Sequence, residues 1–209
     1  MHETKEIRWF FQNENEHIRD WFDKLDFEMK ESRTDYYLDI EKEDVGVKVR
    51  DGKVEIKHRI GTRAQGCLNT NIWGCYEDFV KWSFYVRDSD YMLSSILDGQ
   101  QPRWVSIKKC RKVVLLVERD GNIAVKPSGY ATASCCQVEY TQLEIDGENW
   151  ITFGLEWFGN ERVELNDDII AEILGNTKIN IRQSRGYAAF MTTLLHGNRN
   201  NLIPLQAYS

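Results

Sequence analysis

The stretch VGVKVRDGKVEIKHR, residues 45–59, has alternating apolar and polar residues on both sides of Asp51 and Gly52. An Asp-Gly pair in this setting predicts a β-hairpin with a type I′ turn, because both residues tolerate the positive φ angles that the turn requires. The same signal recurs within residues 108–126 and within residues 136–158. Three predicted hairpins therefore organise the middle of the chain.

Further strands and helices surround these hairpins. Residues 5–11 and 34–40 are predicted strands, which makes eight strands or more, mostly antiparallel. The segment 66–98 is compatible with either helix or strand. Apolar residues at helical spacing predict three helices. The first follows Asn13, the second occupies residues 166–175 and the third occupies residues 184–197. We predict a single α+β domain over residues 1–209, dominated by antiparallel strands.

Composition narrows the class of protein. The 209 residues carry 33 acidic and 27 basic side chains, a formal charge of −6 that argues against binding to a nucleic-acid polymer or an anionic membrane. The chain shows neither an apolar run of membrane-spanning length nor a signal-peptide pattern at its N-terminus, so we expect a cytoplasmic protein. The five cysteines form no Cys-x-x-Cys pair. The four histidines have neither the spacing of metal ligands nor that of a catalytic triad.

The first hairpin places cations on one face. A two-residue turn pairs Arg50 with Lys53, Lys48 with Glu55, and position 46 with Lys57. This face is either a solvated surface or the inner surface of a curved sheet, lined with cations that bind a polyphosphate.

Acidic residues share a face in the third hairpin. The same register rule makes Glu139 and Glu156 diagonal neighbours, close enough to reach one Mg²⁺ or Mn²⁺, although surface carboxylates explain the pattern as well. In the second hairpin Lys109 and Arg111 lie on one side of the strand and Lys108 and Lys112 on the other. Periodicity alone does not decide which of these pairs faces an interior.

The order of these parts resembles the CYTH domain, or triphosphate tunnel metalloenzyme, family. The resemblance rests on an acidic first strand, the YYLD segment, the basic hairpin VKVRDGKVEIK, a later KCR and a final hairpin ending in LEW, and it spans about residues 3–195. It implies an antiparallel eight-stranded β-barrel with flanking helices, whose tunnel binds triphosphate compounds through lysines and arginines. Glutamates hold a divalent metal in that family.

The resemblance also implies a set of site residues. The phosphate-binding cations of the family correspond to Lys48, Arg50, Lys57, Lys109 and Arg111. Its metal ligands correspond to Glu6, Glu139 and Glu156, which would hold Mg²⁺ or Mn²⁺. The chain departs from the pattern at the opening motif, which reads Glu6-x-Arg8-x-Phe10, and at Gly154, where the family has a glutamate.

Three functions follow as hypotheses. The first is a metal-dependent hydrolase of tripolyphosphate, thiamine triphosphate or a nucleoside triphosphate, with charge and positioning as the main sources of catalysis. The second is a non-catalytic module that binds a triphosphate or another organophosphate beside a degenerate metal site. The third is an interaction protein with a solvated sheet and no phosphate affinity. Homodimer formation is an additional expectation.

Overall fold

The structure is a computed structural model that describes residues 2–26, 30–85 and 104–197. These ranges contain nine strands, three α-helices and one 3-10 helix. The strands are β1 (His2–Phe11), β2 (Lys30–Leu38), β3 (Val45–Arg50), β4 (Lys53–Asn69), β5 (Ile72–Tyr85), β6 (Trp104–Arg119), β7 (Asn122–Pro127), β8 (Cys135–Ile145) and β9 (Glu148–Phe158). The helices are α1 (Glu16–Asp23), α2 (Asp167–Leu174), the 3-10 helix (Ile181–Gln183) and α3 (Tyr187–His196). Over these ranges, no helix has the length and apolarity needed to cross a membrane.

Eight of the strands close into an antiparallel barrel, as predicted. Their order around the barrel is β2-β3-β4-β5-β1-β9-β8-β6, and pairing of β6 with β2 closes the ring. The ninth strand, β7, pairs with the second half of β6 outside this ring. Closure satisfies the backbone groups that an open sheet would leave unpaired at its edges.

All three predicted Asp-Gly turns are confirmed. Each aspartate and each glycine at these turns has a positive φ, between 47° and 79°. The turns fix the register, so that Arg50 lies opposite Lys53, and Glu139 lies opposite Gly154. Because side chains alternate along a strand, this register decides which residues point into the barrel.

The predicted boundaries differ from the structure at several strands. The hairpin predicted to end at residue 59 continues, because β4 extends to Asn69 and pairs with β5 along most of its length. The ambiguous segment 66–98 is strand as far as Tyr85, and its remainder lies outside the described residues. The predicted single domain over residues 1–209 also extends past the described ranges and stays a prediction.

The outer face of one side of the barrel forms an apolar core with α1 and α2. Asn15 caps α1 and Asn166 caps α2, each by accepting a hydrogen bond from a main-chain N–H three residues later. The helices bury aromatic and branched residues against Ile7 and Trp9 of β1, which are fully buried. This packing explains why the outer side of β1 is apolar from Ile7 to Phe11.

The third helix, α3, packs across one end of the barrel interior. Its Phe190 is fully buried and stacks on Phe10 of β1, with ring centroids 3.8 Å apart. Trp150 of β9 contacts the same ring edge-on at 5.1 Å. The barrel interior is therefore apolar where α3 closes it, and polar residues occupy the remaining length.

Truncation of Phe190 tests this closure. We expect Phe190→Ala to lower the free energy of unfolding by about 3–5 kcal/mol, because it removes a fully buried ring and leaves a cavity. The measurement is urea-induced unfolding followed by tryptophan fluorescence. Phe84→Ala is the control, since this ring is 50% exposed, and it should cost less than about 1 kcal/mol. Equal losses in the two variants would contradict the packing of α3 into the barrel.

Candidate functional site in the barrel interior

The polar part of the barrel interior contains a cavity of about 360 Å³. All eight residues that the sequence singled out line it. They are Glu6, Lys48, Arg50, Lys57, Lys109, Arg111, Glu139 and Glu156. The structure thus brings together every predicted site residue, and it leaves their chemical roles untested.

The register of the hairpins explains this convergence. Lys48 and Arg50 alternate with the partly buried Val47 and the buried Val49, which face away. Glu139 and Glu156 lie on the inner face at the register that the sequence predicted. On β6 the structure resolves the open choice, because Lys109 is buried in the cavity wall while Lys108 is exposed outside. A solvated face is therefore wrong for the first hairpin and for the two glutamates.

Arg8 lies between two of the glutamates. Its Nε donates to Glu6 Oε1 at 2.6 Å, and its Nη1 donates to Glu139 Oε1 at 2.9 Å and to Thr152 Oγ1 at 3.3 Å. The side chain is only 4% exposed. Burial by itself lowers the pKa of Arg8, but the carboxylates of Glu139 and Glu6 reverse that effect and raise it well above its usual value.

Lys57 joins Glu6 to Glu156. Its ammonium forms ion pairs with the Glu6 carboxylate and, at 2.9 Å, with Glu156 Oε1. Burial raises the pKa of Glu6, yet Lys57 and Arg8 outweigh burial and bring it down to about 2. Glu6 is therefore ionised at neutral pH and already has two cationic partners.

Lys109 has a different environment. Its ammonium lies 2.9 Å from Asp35 and donates to Tyr37 Oη at 3.0 Å. It also lies 3.9 Å from the ring centroid of Tyr187. Burial lowers the pKa of Lys109 to about 7, with Lys48 contributing and Asp35 opposing. Lys109 can therefore gain or lose a proton near neutral pH.

A cluster around Glu55 holds further cations. Glu55 forms ion pairs with Lys48 at 2.8 Å, with Lys81 at 2.9 Å and with Arg50 at 3.1 Å. Burial raises the pKa of Glu55, but Lys48 and Lys81 outweigh it and lower the pKa to about 2. Arg111 is paired elsewhere, with its Nε 3.1 Å from Glu139 Oε2.

Several residues of the site were not among the sequence candidates, and four of them form ion pairs in the cavity. Asp35 and Glu55 form ion pairs with the lysines of the site, and Lys81 is a further cation. Arg8 donates hydrogen bonds to Glu6 and to Glu139. Glu55 had a usable signal, since the predicted register already placed it opposite Lys48. Arg8 was visible only as a departure from the family motif, because its partner Glu139 lies 131 residues away in the sequence.

The arrangement of the glutamates does not fit a divalent metal. Arg8 occupies the space between Glu6 and Glu139, with a bond to each carboxylate. A Cβ atom at Gly154 would lie 2.8 Å from Arg8 Cζ, so a glutamate at that position would require the guanidinium to leave its present place. Within the described part of the chain, no group of three or more His, Cys, Asp or Glu is arranged to hold a metal ion. The Mg²⁺ or Mn²⁺ requirement stays a prediction.

Comparisons with known proteins give a distant likeness in fold. No family model matches the chain, and no curated protein matches it. Among solved structures, it is similar to a conserved hypothetical protein from Pyrococcus furiosus, with a TM-score of 0.38 and 14% sequence identity. The match covers 88% of this chain and 98% of that chain. A likeness at this level carries no argument about function.

Acid sensitivity tests the ion pairs of the cavity. The folded-state pKa values of Glu6 and Glu55 are about 2, below the usual 4.5, so their stabilisation is present above pH 4.5 and is lost as the pH falls towards 2. We expect the free energy of unfolding to decrease over this window. Glu55→Gln should lower stability at pH 7 by about 1–2 kcal/mol and make the acid-dependent decrease shallower.

The measurement is urea unfolding at a series of pH values. Glu118→Gln on β6 is the matched control, because Glu118 is exposed outside the barrel. It should leave both the stability at pH 7 and its pH dependence unchanged. A Glu55→Gln variant that follows the wild-type pH profile would contradict the ion-pair assignment.

Proposed function

We propose that this protein is a divergent CYTH-like barrel that binds a small triphosphate or related organophosphate in its interior. One observation carries the proposal: eight cationic side chains from six barrel strands converge on one cavity in a protein whose formal charge is −6. These cations are Arg8, Arg33, Lys48, Arg50, Lys57, Lys81, Lys109 and Arg111. Guanidinium and ammonium groups bind phosphate oxygens by charge-assisted hydrogen bonds.

The charge balance of the cavity supports an anionic ligand. Five carboxylates face the eight cations, and they belong to Glu6, Glu43, Glu55, Glu139 and Glu156. Asp35, which lies behind Lys109 and Lys48, and Glu31, which pairs with Arg33 and Arg111, add two more negative charges. The lining therefore keeps a positive surplus, and like charges held together in a partly buried space favour a bound anion.

The size of the cavity supports a small molecule. Its volume of about 360 Å³ lies within the range of about 300–1,000 Å³ that is usual for small-ligand sites. A barrel interior also gives a polyphosphate cations on several walls at once, which a flat surface cannot do. A nucleic-acid polymer does not fit such an enclosed space.

Hydrolysis of the bound compound is a second candidate function. The lowered pKa of Lys109 favours it. An ammonium group with a pKa of about 7 can donate a proton to a leaving phosphate oxygen near neutral pH. The substrates to test are tripolyphosphate, thiamine triphosphate and a nucleoside triphosphate.

Binding of tripolyphosphate tests the first proposal. At a ligand concentration of about 100 times Kd, we expect the melting temperature to rise by about 5–10 °C, because the ligand binds only the folded state. Lys109→Gln should weaken binding by about tenfold or more, since it removes a charge-assisted hydrogen bond. Isothermal titration calorimetry gives the dissociation constants.

Lys108→Gln is the matched control for this experiment. The two lysines are adjacent on β6, but Lys108 lies on the outer face, where it pairs with Glu144. It should bind tripolyphosphate like the wild type. Absence of any calorimetric or thermal response to tripolyphosphate would overturn the proposal and favour a protein without phosphate affinity.

Phosphate release tests the second candidate. If the protein is a hydrolase, tripolyphosphate, thiamine triphosphate or ATP should release phosphate in assays with and without Mg²⁺ or Mn²⁺, and Lys109→Gln should reduce the rate by at least about tenfold, because it removes the proton donor. Glu144→Gln, on the outer surface, should retain the wild-type rate. Tight binding without release would assign the protein as a binding module.

A further inference from the structure

The amino end of α3 opens onto the cavity without a cap. Gly186, Tyr187 and Ala188 line the cavity, and no side chain caps the helix at Gly186. The first main-chain hydrogen bond of the helix runs from Phe190 N–H to the Gly186 carbonyl oxygen at 3.0 Å. The N–H groups before Phe190 therefore have no partner within the helix. Such a helix end attracts anions through these N–H groups and the helix dipole.

Arg8 lies against the same helix end. Its guanidinium carbon is 4.9 Å from the ring centroid of Tyr187, and its main-chain carbonyl oxygen accepts from Arg185 N–H at 3.0 Å. Nε and Nη1 donate to the two glutamates and to Thr152, as described above. Hydrogen bonds are thus seen for Nε and Nη1, whereas Nη2 lies over Gly154. A side chain that is 96% buried thus has donor capacity left at the cavity wall.

The Tyr187 hydroxyl is a second unused donor. Its oxygen is buried and lacks a hydrogen-bond partner within the described ranges. A buried hydroxyl without a hydrogen-bond partner is unfavourable, so a ligand that supplies an acceptor stabilises the fold. The guanidinium of Arg8 lies 4.9 Å from the centroid of the Tyr187 ring and both residues line the cavity, so a negatively charged acceptor at this point would satisfy the hydroxyl and face Arg8.

We propose that Arg8, the Tyr187 hydroxyl and the amino end of α3 form an anion subsite at the closed end of the cavity, which takes one terminal phosphoryl group and needs no divalent metal. The proposal rests on the proposed binding function and specifies where the end of the ligand lies. Arg8 supplies a fixed positive charge between Glu6 and Glu139. A phosphoryl oxygen can then accept from Arg8 Nη2, from the Tyr187 hydroxyl and from the helix N–H groups.

Two variants test the subsite without removing a charge. Tyr187→Phe removes only the hydroxyl, because the ring and its contacts with Arg8 and Lys109 remain. Gly154→Ala adds a Cβ atom 2.8 Å from Arg8 Cζ and so displaces the guanidinium. Tyr130→Phe is the matched control, since this tyrosine is exposed and lies outside the cavity lining. Circular dichroism and thermal unfolding establish that each variant is folded.

Calorimetric titration with tripolyphosphate is carried out in excess EDTA and then with Mg²⁺. We expect the wild type to bind in EDTA at least as tightly as with Mg²⁺. In EDTA, Tyr187→Phe should bind about 10- to 150-fold more weakly, as expected for one hydrogen bond to a charged acceptor. Gly154→Ala should lose affinity by a similar factor or more, and Tyr130→Phe should match the wild type.

The outcomes separate the subsite from the broader function. Wild-type binding that requires Mg²⁺ would overturn the subsite and leave the proposed binding function standing. Binding in EDTA that Tyr187→Phe leaves unchanged would also overturn it. If tripolyphosphate binds under neither condition, the proposed function itself fails.

Discussion

Neutralisation of charge inside the barrel is the constraint on which the rest of the structure depends. The interior holds arginines, lysines and carboxylates from all sides of a closed sheet, and an unpaired buried charge destabilises a fold by several kcal/mol. Each glutamate is accordingly placed opposite cations, most clearly Glu139, which lies between Arg8 and Arg111. The same pairing keeps the cations extended towards a common centre, which is what an anionic ligand requires.

Polar and apolar halves of the interior depend on one another. The aromatic contacts of Phe190 with Phe10 and Trp150 exclude water from one end of the barrel. Arg8 lies two residues before Phe10 on the same face of β1, directly beside this apolar end. Because α3 covers this end of the barrel, the Arg8 side chain has little exposure to water. Its ion pairs with Glu6 and Glu139 are stronger in such surroundings than in water, and they hold the guanidinium in place.

Turn chemistry made much of this fold predictable from the sequence. Three Asp-Gly pairs specify three registers, and each register fixes which side chains share a face, so Lys48 could be placed near Lys57, and Glu139 near Glu156. That these two pairs belong to one site was implied only by the family resemblance. The inward face of β6 could not, because cations occur on both of its sides. The position of Arg8 depends on a partner 131 residues away, and no local pattern reports a contact of that range.

The close approach of Arg8 to Gly154 restricts how such a sequence can arise by mutation. These residues are directly opposite each other on β1 and β9, and a side chain at position 154 would collide with the guanidinium. A larger residue at position 154 requires the guanidinium to move, so it is compatible with an arginine at position 8 only if Arg8 leaves its present ion pairs with Glu6 and Glu139. The identity of each of the two positions thereby limits what the other can be.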